Sequence, residues 1–221
     1  MINISACQFK YDKEIIIDIN SLKIKEGEHL FLHGKSGSGK STFLNLLCGI
    51  LEPTTGEIEI LGTKLGSLSN SVKDRFRADN YGTIFQQFNL LPYLNVEENI
   101  SLACKFSEVK TSHVKNMKEE IESLLDALEL SVDLSTPAMN LSVGEQQRVA
   151  VARALIGKPK IIIADEPTSA LDSDTKESFM KLLFKQVESQ NSTLIFVSHD
   201  KSLSSNFNTV YDFSDINKTQ I

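Results

Sequence analysis

A glycine-rich segment between a predicted strand and a predicted helix constrains this chain more than any other feature. Residues 34–41 read Gly-Lys-Ser-Gly-Ser-Gly-Lys-Ser and satisfy the pattern G-x-x-x-x-G-K-[ST]. The apolar run Leu30–Leu32 precedes this segment. Apolar residues at helical spacing follow it, namely Phe43, Leu44, Leu46, Leu47 and Ile50. Because a loop in this position presents backbone N–H groups at a helix N-terminus, the sequence predicts a phosphate-binding loop.

Each residue type in this loop has a chemical use. The glycines let the backbone wrap a phosphate chain, Lys40 can reach the β- and γ-phosphates, and Ser41 can bind Mg²⁺. A Gly/Ser-rich turn with a chance lysine is the alternative, and the motifs that follow disfavour it. The residues predicted to bind the phosphates are Gly34, Lys35, Ser36, Gly37, Ser38, Gly39, Lys40, Ser41 and Thr42.

Two acidic residues follow a second apolar run. Ile161–Ala164 is continuously apolar, as expected for a strand buried on both faces, and Asp165 and Glu166 come next. In a protein with a phosphate-binding loop, an acidic residue at this place holds Mg²⁺ directly or through water, which is the role predicted for Asp165. Glu166 would orient or deprotonate an attacking water. A solvated carboxylate at the end of the strand is the alternative for Glu166.

The first half of the chain changes from a β-rich to a helical composition. Short β-prone runs before Leu32 indicate an antiparallel start, and the segments 56–62 and 81–85 are typical of further strands. The segment 97–130 is charged and predicted to be helical. Its apolar residues fall at spacings of three and four, namely Val114, Met117, Ile121, Leu124, Leu125 and Leu128. Such a stripe is typical of core packing.

The second half returns to an alternation of strands and helices. The strand at 161–164 is followed by a predicted helix over 175–187 and a predicted strand over 193–198. We therefore expect an α/β chain with one domain over residues 1–221. Residues 1–90 and 150–221 would form the core with its antiparallel part, and residues from about 90 to 150 would form a helical subdomain.

Composition excludes several classes of protein. The 221 residues, 41% of them hydrophobic, are enough to bury a core, and the net charge of −6 argues against a nucleic-acid partner. Cys7, Cys48 and Cys104 are few and scattered, which favours reduced thiols and a cytoplasmic compartment. No apolar run reaches the roughly 18 residues needed to span a bilayer, and no signal-peptide pattern opens the chain.

A further motif narrows the class of phosphate-loop protein. Residues 141–148 read Leu-Ser-Val-Gly-Glu-Gln-Gln-Arg and resemble the signature motif of the ABC-transporter ATPases. The family's other motifs occur in the family's order: Phe85-Gln86-Gln87 as the Q-loop, residues 161–166 as Walker B, residues 169–172 as the D-loop and residues 197–200 as the H-switch. The resemblance covers essentially the whole chain. It implies a P-loop NTPase (RecA-like) core with an N-terminal antiparallel β subdomain and an inserted α-helical subdomain.

The signature motif has both a local and an intermolecular interpretation. Ser142 and Glu145 are spaced as a capping box, which would start a helix without any ligand. The resemblance implies that Ser142, Val143, Gly144 and Glu145 also face the γ-phosphate of ATP bound to a second copy of the chain. Val143 stands where the family usually has glycine and Glu145 where it commonly has glutamine. Gly144 matches the family's glycine at the position where the backbone must come close to the phosphate.

The resemblance assigns two further residues to hydrolysis. Gln86 would bind Mg²⁺ and sense the attacking water, with Gln87 one position away as the alternative. His199 would contact the γ-phosphate and steady Glu166.

Two more residues take their roles from the resemblance. Asp172 would act across the interface between two copies. Tyr11 would stack on the adenine, with Phe9 as its rival.

These assignments imply an ATPase that powers a membrane complex. ATP and Mg²⁺ would be its cofactors, and two ATP molecules would hold two copies together until hydrolysis released them. An integral membrane permease would convert this cycle into work and would hold the chain on the cytoplasmic face of the inner (plasma) membrane. The apolar segment 88–93 is a candidate for receiving a helix of that permease.

The branch of the family is less constrained. The amino-acid sequences of residues 85–92 and 164–172 are most similar to those of the ATPases of lipoprotein release, macrolide efflux and cell division, which favours export. The ATPases of amino-acid importers share much of this sequence and are the first alternative. A soluble ABC ATPase that does not serve a transporter is a further alternative. A P-loop kinase or GTPase acting alone would leave Ser142, Gly144 and His199 without a role. The C-terminal tail lacks the glycine turn usual in such chains, and Asn217 is expected to supply a left-handed residue instead.

Overall fold

The computed structural model describes residues 1–169, 171 and 173–219, which contain both strands and helices. The strands among them are β1 (Ile2–Tyr11), β2 (Glu14–Ile24), β3 (His29–His33), β4 (Thr55–Ile60), β5 (Thr63–Lys64), β6 (Tyr81–Ile84), β7 (Ile161–Asp165), β8 (Thr193–Val197) and β9 (Thr209–Asp212). The α-helices are α1 (Lys40–Leu47), α2 (Asn70–Asn80), α3 (Val96–Lys105), α4 (Glu108–Ser112), α5 (Met117–Ala127), α6 (Val143–Leu155), α7 (Ser173–Ser189) and α8 (Phe213–Ile216). Short 3₁₀ helices lie at Leu65–Ser67, Ala138–Asn140 and Lys201–Asn206.

The N-terminal strands form an antiparallel sheet, as predicted. Its strand order is β2-β1-β4-β5, and Ile2 of β1 lies opposite Ile24 of β2 and Ile60 of β4. All three isoleucines are buried, so the sheet has an apolar face where its central strands pair. The β-prone runs around Ile15–Ile17 and Leu22–Ile24 belong to the single strand β2 rather than to two strands.

The described residues group into two units by their contacts. The first comprises Met1–Arg77 and the described residues from Ile195 onward, and the second comprises Ala78–Leu194. Within the first unit β3 pairs in parallel with β9, and within the second β6 pairs in parallel with β7. Strand β8 spans the boundary between the units along the chain. Strands β3, β7 and β8 are buried along almost their whole length, as expected for parallel strands covered on both faces.

Helices fill the second unit between β6 and β7, where every residue is described and none lies in a strand. The predicted helical segment 97–130 is divided into α3, α4 and α5, because Ser107 and Asn116 each cap the start of a new helix with their side chains. Ile121 and Leu124 on the predicted apolar stripe are buried in the core. Among the described residues, no helix combines the length and the apolar character that crossing a bilayer requires.

The C-terminal tail is anchored by the side chain of Asn217. The backbone there is extended, with φ −94° and ψ 113°, so the expected left-handed conformation was wrong. The Asn217 Oδ1 atom accepts a hydrogen bond from the N–H of Asp18 at 2.7 Å, and its Nδ2 donates to the carbonyl of Ile16 at 2.9 Å. The N–H of Lys218 donates to the carbonyl of Asp18 at 2.8 Å. Asn217 therefore bridges the tail to β2 instead of making a turn.

We expect Asn217→Ala to lower the free energy of unfolding by about 2 kcal/mol, because it removes two hydrogen bonds at a buried position. Urea unfolding followed by circular dichroism measures this change. Asn206→Ala is the matched control, because the Asn206 amide is exposed and donates to the nearby carbonyl of Leu203. Equal losses for the two variants would contradict the anchoring role of Asn217.

Candidate nucleotide-binding site

The phosphate-binding loop connects β3 to α1, as predicted. Gly39, the last loop residue, has a left-handed backbone with φ +97°. A Cβ atom there would lie 3.2 Å from the carbonyl oxygen of Ile16. A Cβ atom at Gly34, where the loop begins, would lie 3.1 Å from the Cβ of Phe213. A Cβ atom at either end would force a neighbouring atom to shift, and at Gly39 it would also strain the left-handed backbone, so glycine favours this close approach.

Lys40 spans the inside of the loop. Its Nζ donates hydrogen bonds to the carbonyls of Gly34 and Lys35, both at 2.7 Å, and its side chain is buried. These bonds fold the lysine back over the start of the loop, while Ser41 and Thr42 follow it in the first turn of α1. The ammonium group is thus held where an anion wrapped by the loop would meet it.

Two other features of the loop suit an anion. The hydroxyl of Ser38 is shielded from solvent, and no described residue offers it a hydrogen bond. Helix α1 begins without a side-chain cap and without an acidic residue in its first turn. An anion would satisfy both the buried hydroxyl and the positive end of the helix dipole. The residues present therefore fit a phosphate group.

His199 lies in the same unit as the loop. It is exposed and lies two residues after the end of β8, and hydrogen bonds of its neighbours hold the backbone on either side. The N–H of Ser198 donates to the carbonyl of Leu32 at 3.2 Å, and the N–H of Asp200 donates to Oγ of Ser198 at 3.1 Å. Leu32 lies in β3, two residues before the loop begins. The hydrogen bond from Ser198 therefore places the end of β8, and His199 after it, next to the start of the loop.

Asp165 and Glu166 lie in the second unit, at the end of β7. Asp165 is the last residue of the strand and is partly exposed, after four buried residues. Glu166 has a left-handed backbone with φ +48°, so the chain leaves the direction of the strand at this residue. A left-handed glutamate is an uncommon conformation that is frequently found at functional sites.

The signature residues start helix α6 with a capping box, as predicted. The carboxylate of Glu145 accepts hydrogen bonds from the N–H and the hydroxyl of Ser142 at 2.8 and 2.7 Å, and Oγ of Ser142 accepts from the N–H of Glu145. The two donors of Ser142 hold the pKa of Glu145 below its ordinary value. Val143 is 53% exposed. A Cβ atom at Gly144 would meet no described atom within 4 Å, so contacts within this chain do not require glycine there.

Gln86 lies in a turn that follows β6. The N–H of Phe88 donates to the carbonyl of Phe85 at 3.1 Å and closes the turn around Gln86 and Gln87. Both glutamines are exposed, so the assignment of the Q-loop role to Gln86 over Gln87 stays a prediction.

Solvent exposure distinguishes the two candidates for adenine stacking. Tyr11, at the end of β1, is 51% exposed, whereas Phe9 is buried. The two rings pack edge to face with their centroids 4.8 Å apart. Phe9 therefore belongs to the core, and exposure favours Tyr11 as a stacking surface. Asp172 lies outside the described residues.

The structure places the predicted residues in two sets. Tyr11, the loop residues 34–42 and His199 belong to the first unit, whereas Gln86, the signature residues 142–145, Asp165 and Glu166 belong to the second. Sequence reasoning missed Gln147, which is almost fully buried on α6 and donates to the carbonyl of Pro167 at 2.8 Å. This bond ties the signature helix to the residue after Glu166. The signal that could have revealed it is a glutamine one turn into the helix that Ser142 and Glu145 are predicted to start.

Comparison with known proteins identifies the family to which a chain with this site is similar. The family model described as "ABC transporter" matches residues 17–169. The ABC transporter ATP-binding protein MJ0796 of Methanocaldococcus jannaschii, which bears the description uncharacterized, is 42% identical over 195 residues, covering 87% of this chain and 83% of that protein. The lipoprotein-releasing system ATP-binding protein LolD of Buchnera aphidicola is 40% identical over 194 residues, with the same two coverages.

The fold agrees with a solved structure of one of these relatives. The dimeric, post-hydrolysis structure of the ATP-binding cassette MJ0796 bound to ADP and Pi superposes with a TM-score of 0.80 at 35% identity, covering 95% of this chain and 93% of that one. The fold predicted from the motifs is thereby confirmed. The chain belongs to the ABC transporter family, in which it is an ATP-binding, ATP-hydrolysing subunit.

Proposed function

We propose that this subunit works as a nucleotide-dependent homodimer. Each ATP lies between the phosphate loop of one copy and the signature helix of the other, and the dimer drives an integral membrane permease. The observation that carries this proposal is at the start of α6, where a Cβ added at Gly144 would meet no described atom within 4 Å. Glycine in a helix costs roughly 0.5–1 kcal/mol relative to alanine, and close approach of a second molecule accounts for that cost.

The phosphate loop supplies the first half of each site. Lys40 exchanges its bonds to the loop carbonyls for the β- and γ-phosphates, and Ser38 gains an acceptor for its hydroxyl proton. The exposed ring of Tyr11 stacks on the adenine. These contacts fix the nucleotide in place before chemistry begins.

Mg²⁺ fits the donor types that the chain offers. Ser41, Gln86 and Asp165 present a hydroxyl, an amide and a carboxylate, which are oxygen ligands of the kind that Mg²⁺ prefers, and the ion would neutralise charge on the phosphates. No group of three or more His, Cys, Asp or Glu side chains is arranged to hold a metal within the described residues. This agrees with an ion that is held by few protein ligands together with substrate phosphates.

The hydrolytic step needs a base and fixed positive charge. Glu166 accepts the proton of the attacking water, and His199 contacts the γ-phosphate and steadies Glu166. Lys40 stabilises the charge that develops on the phosphate oxygens, and Asp172 acts across the interface. We attribute most of the catalysis to electrostatic stabilisation of the developing charge by these groups.

The permease surface is proposed at the helical segment from about 90 to 150, which we treat as a subdomain. Tyr93 and Met139 are 73% and 68% exposed there, and the N–H of Met139 donates to the carbonyl of Pro92 at 3.2 Å. The side chain of Asn99 holds this surface by hydrogen bonds to both backbone polar groups of Leu91. A fixed, exposed apolar surface suits a helix of a membrane subunit, which would keep the chain at the cytoplasmic face of the membrane.

We place the subunit in the export branch, with lipoprotein release and efflux as the nearest functions. The similarity to LolD supports this placement. A neighbouring gene for a multi-span protein with a large extracytoplasmic domain would support it further. A neighbouring gene for a solute-binding protein would instead indicate import.

We expect Glu166→Gln to form a stable dimer with ATP and Mg²⁺, because blocked hydrolysis traps the nucleotide between two copies. Size-exclusion chromatography with light scattering measures the mass with and without ATP. The second substitution Ser142→Arg should abolish the shift, because it places a bulky side chain where the phosphate binds. A monomer at saturating ATP, both alone and with the permease, would contradict the homodimer.

Gly144→Ala separates fold from function. We expect its free energy of unfolding to be unchanged or raised by up to about 1 kcal/mol, because the added methyl enters open space in a helix. In the Glu166→Gln background it should nevertheless weaken ATP-dependent dimerisation. The matched control is Gly66→Ala, which also adds a methyl group in open space but lies outside the site. Intact dimerisation of the Gly144→Ala protein would remove the main support for the proposal.

Tyr93→Arg tests the permease surface. We expect this variant to dimerise normally with ATP but to lose the stimulation of ATPase activity by the permease subunit reconstituted in liposomes. Phe106→Arg is the control, because Phe106 is a similarly exposed aromatic residue at 67% in the same unit. Equal loss of stimulation in both variants would mean that Tyr93 does not mark the docking surface.

A further inference from the structure

The C-terminal end of the signature helix holds the segment that follows the Q-loop. The guanidinium of Arg153 on α6 donates through Nη1 to the carbonyl of Asn89 at 2.6 Å and through Nη2 to the carbonyl of Phe88 at 2.5 Å. A single side chain thus binds two consecutive backbone carbonyls. Phe88 and Asn89, which carry these carbonyls, belong to neither a helix nor a strand.

These two carbonyls belong to an unusual piece of backbone. Phe88 and Asn89 are both left-handed, with φ +55° and +50°, although neither is glycine. The N–H of Asn89 also donates to the carbonyl of Gln87 at 2.5 Å. Two successive left-handed residues persist only where surrounding contacts hold them. The buried ring of Phe88 and the fork of Arg153 are such contacts.

The held segment begins where the turn carrying Gln86 ends. That turn is closed by the hydrogen bond from Phe88 to Phe85, and Phe85 directly follows strand β6. The Gln86 backbone is therefore fixed on one side by the end of the strand and on the other by Arg153. The Gln86 side chain itself is exposed, so its direction depends on this backbone.

A guanidinium suits this task better than an ammonium. Its planar fork carries donors at a fixed separation and can bind two acceptors at once, whereas the single nitrogen of lysine rotates freely. Lysine at position 153 would keep the charge but lose the paired geometry.

We propose that Arg153 is a positioning residue for Gln86, through which the signature helix sets the orientation of the glutamine toward Mg²⁺. The inference rests on the proposed function, in which Gln86 is a ligand of that ion. It gives both ends of α6 a role, because in the proposed dimer the first turn faces the nucleotide of the second copy, while the last turn holds the residues that follow the Q-loop of its own copy.

The test compares Arg153→Lys with Arg148→Lys in the full chain. Arg148 is a close match, because it lies on the same helix and its Nη1 donates to the carbonyls of Leu128 and Glu129 at 2.5 and 3.0 Å. Glu129 is also left-handed, with φ +55°. The readouts are the Mg²⁺ concentration that gives half-maximal ATPase activity, the Kd for ATP measured in EDTA, and the midpoint of urea unfolding.

We expect Arg153→Lys to raise the half-maximal Mg²⁺ concentration by roughly 10- to 100-fold, as is usual when a residue that orients a metal ligand is lost. The Kd for ATP in EDTA should stay unchanged, and Arg148→Lys should leave the Mg²⁺ dependence as it is. In a Gln86→Ala background, Arg153→Lys should have no further effect on the Mg²⁺ dependence, because the positioned group is gone.

Equal Mg²⁺ dependence of the two lysine variants, or additive effects of Arg153→Lys and Gln86→Ala, would overturn the inference. If Arg153→Lys unfolds, Arg153→Gln, which keeps a donor amide, is judged by the same criteria. Failure of the proposed function has a different signature, because the unmodified chain would then lack Mg²⁺-dependent ATPase activity altogether.

Discussion

The close packing of the phosphate loop against strand β2 is the constraint on which the first unit depends. Gly39 lies so near the carbonyl of Ile16 that a single added carbon would stand 3.2 Å from it. That carbonyl also accepts the hydrogen bond from Asn217, so the first residues of β2 contact both the loop and the C-terminal tail. The residues joined by this hydrogen bond lie 201 positions apart in the chain, and the same carbonyl lies against the glycine-rich loop. The antiparallel sheet is the support of the nucleotide loop as well as a structural layer of its own.

Helix α6 has the corresponding place in the second unit. Its side chains bind backbone carbonyls of three separate segments: Gln147 binds Pro167, Arg148 binds the end of α5, and Arg153 binds the residues after the Q-loop. Backbone carbonyls in irregular segments need hydrogen-bond donors when they are removed from water. The long polar side chains of α6 provide these donors. Helix α6 is therefore hydrogen-bonded both to the residue after Glu166 and to the residues after the turn that carries Gln86.

The sequence was most informative where chemistry depends on adjacent residues. The phosphate loop, the capping box of Ser142 and Glu145 and the buried strand before Asp165 are local patterns, and all three were predicted correctly. The Asn217 bridge, the Gln147 bond and the Arg153 fork join residues far apart in the chain, and no local pattern encodes them. The choice between Tyr11 and Phe9 needed solvent exposure, which alternation along one strand does not provide. The interrupted helices of the segment 97–130 escaped prediction because the apolar stripe outweighed the caps at Ser107 and Asn116.

The capping box also bears on how readily two copies separate. The hydroxyl proton of Ser142 is already donated to the carboxylate of Glu145, and a hydroxyl has one proton to give. A phosphate that accepts a hydrogen bond from this hydroxyl displaces the carboxylate. One charge-assisted hydrogen bond is then exchanged for another, so the net gain in free energy is small. The carboxylate left behind then repels the phosphate beside it. In the proposed homodimer, an association formed by this exchange would therefore be shallow in free energy, which suits two copies that separate after each hydrolysis.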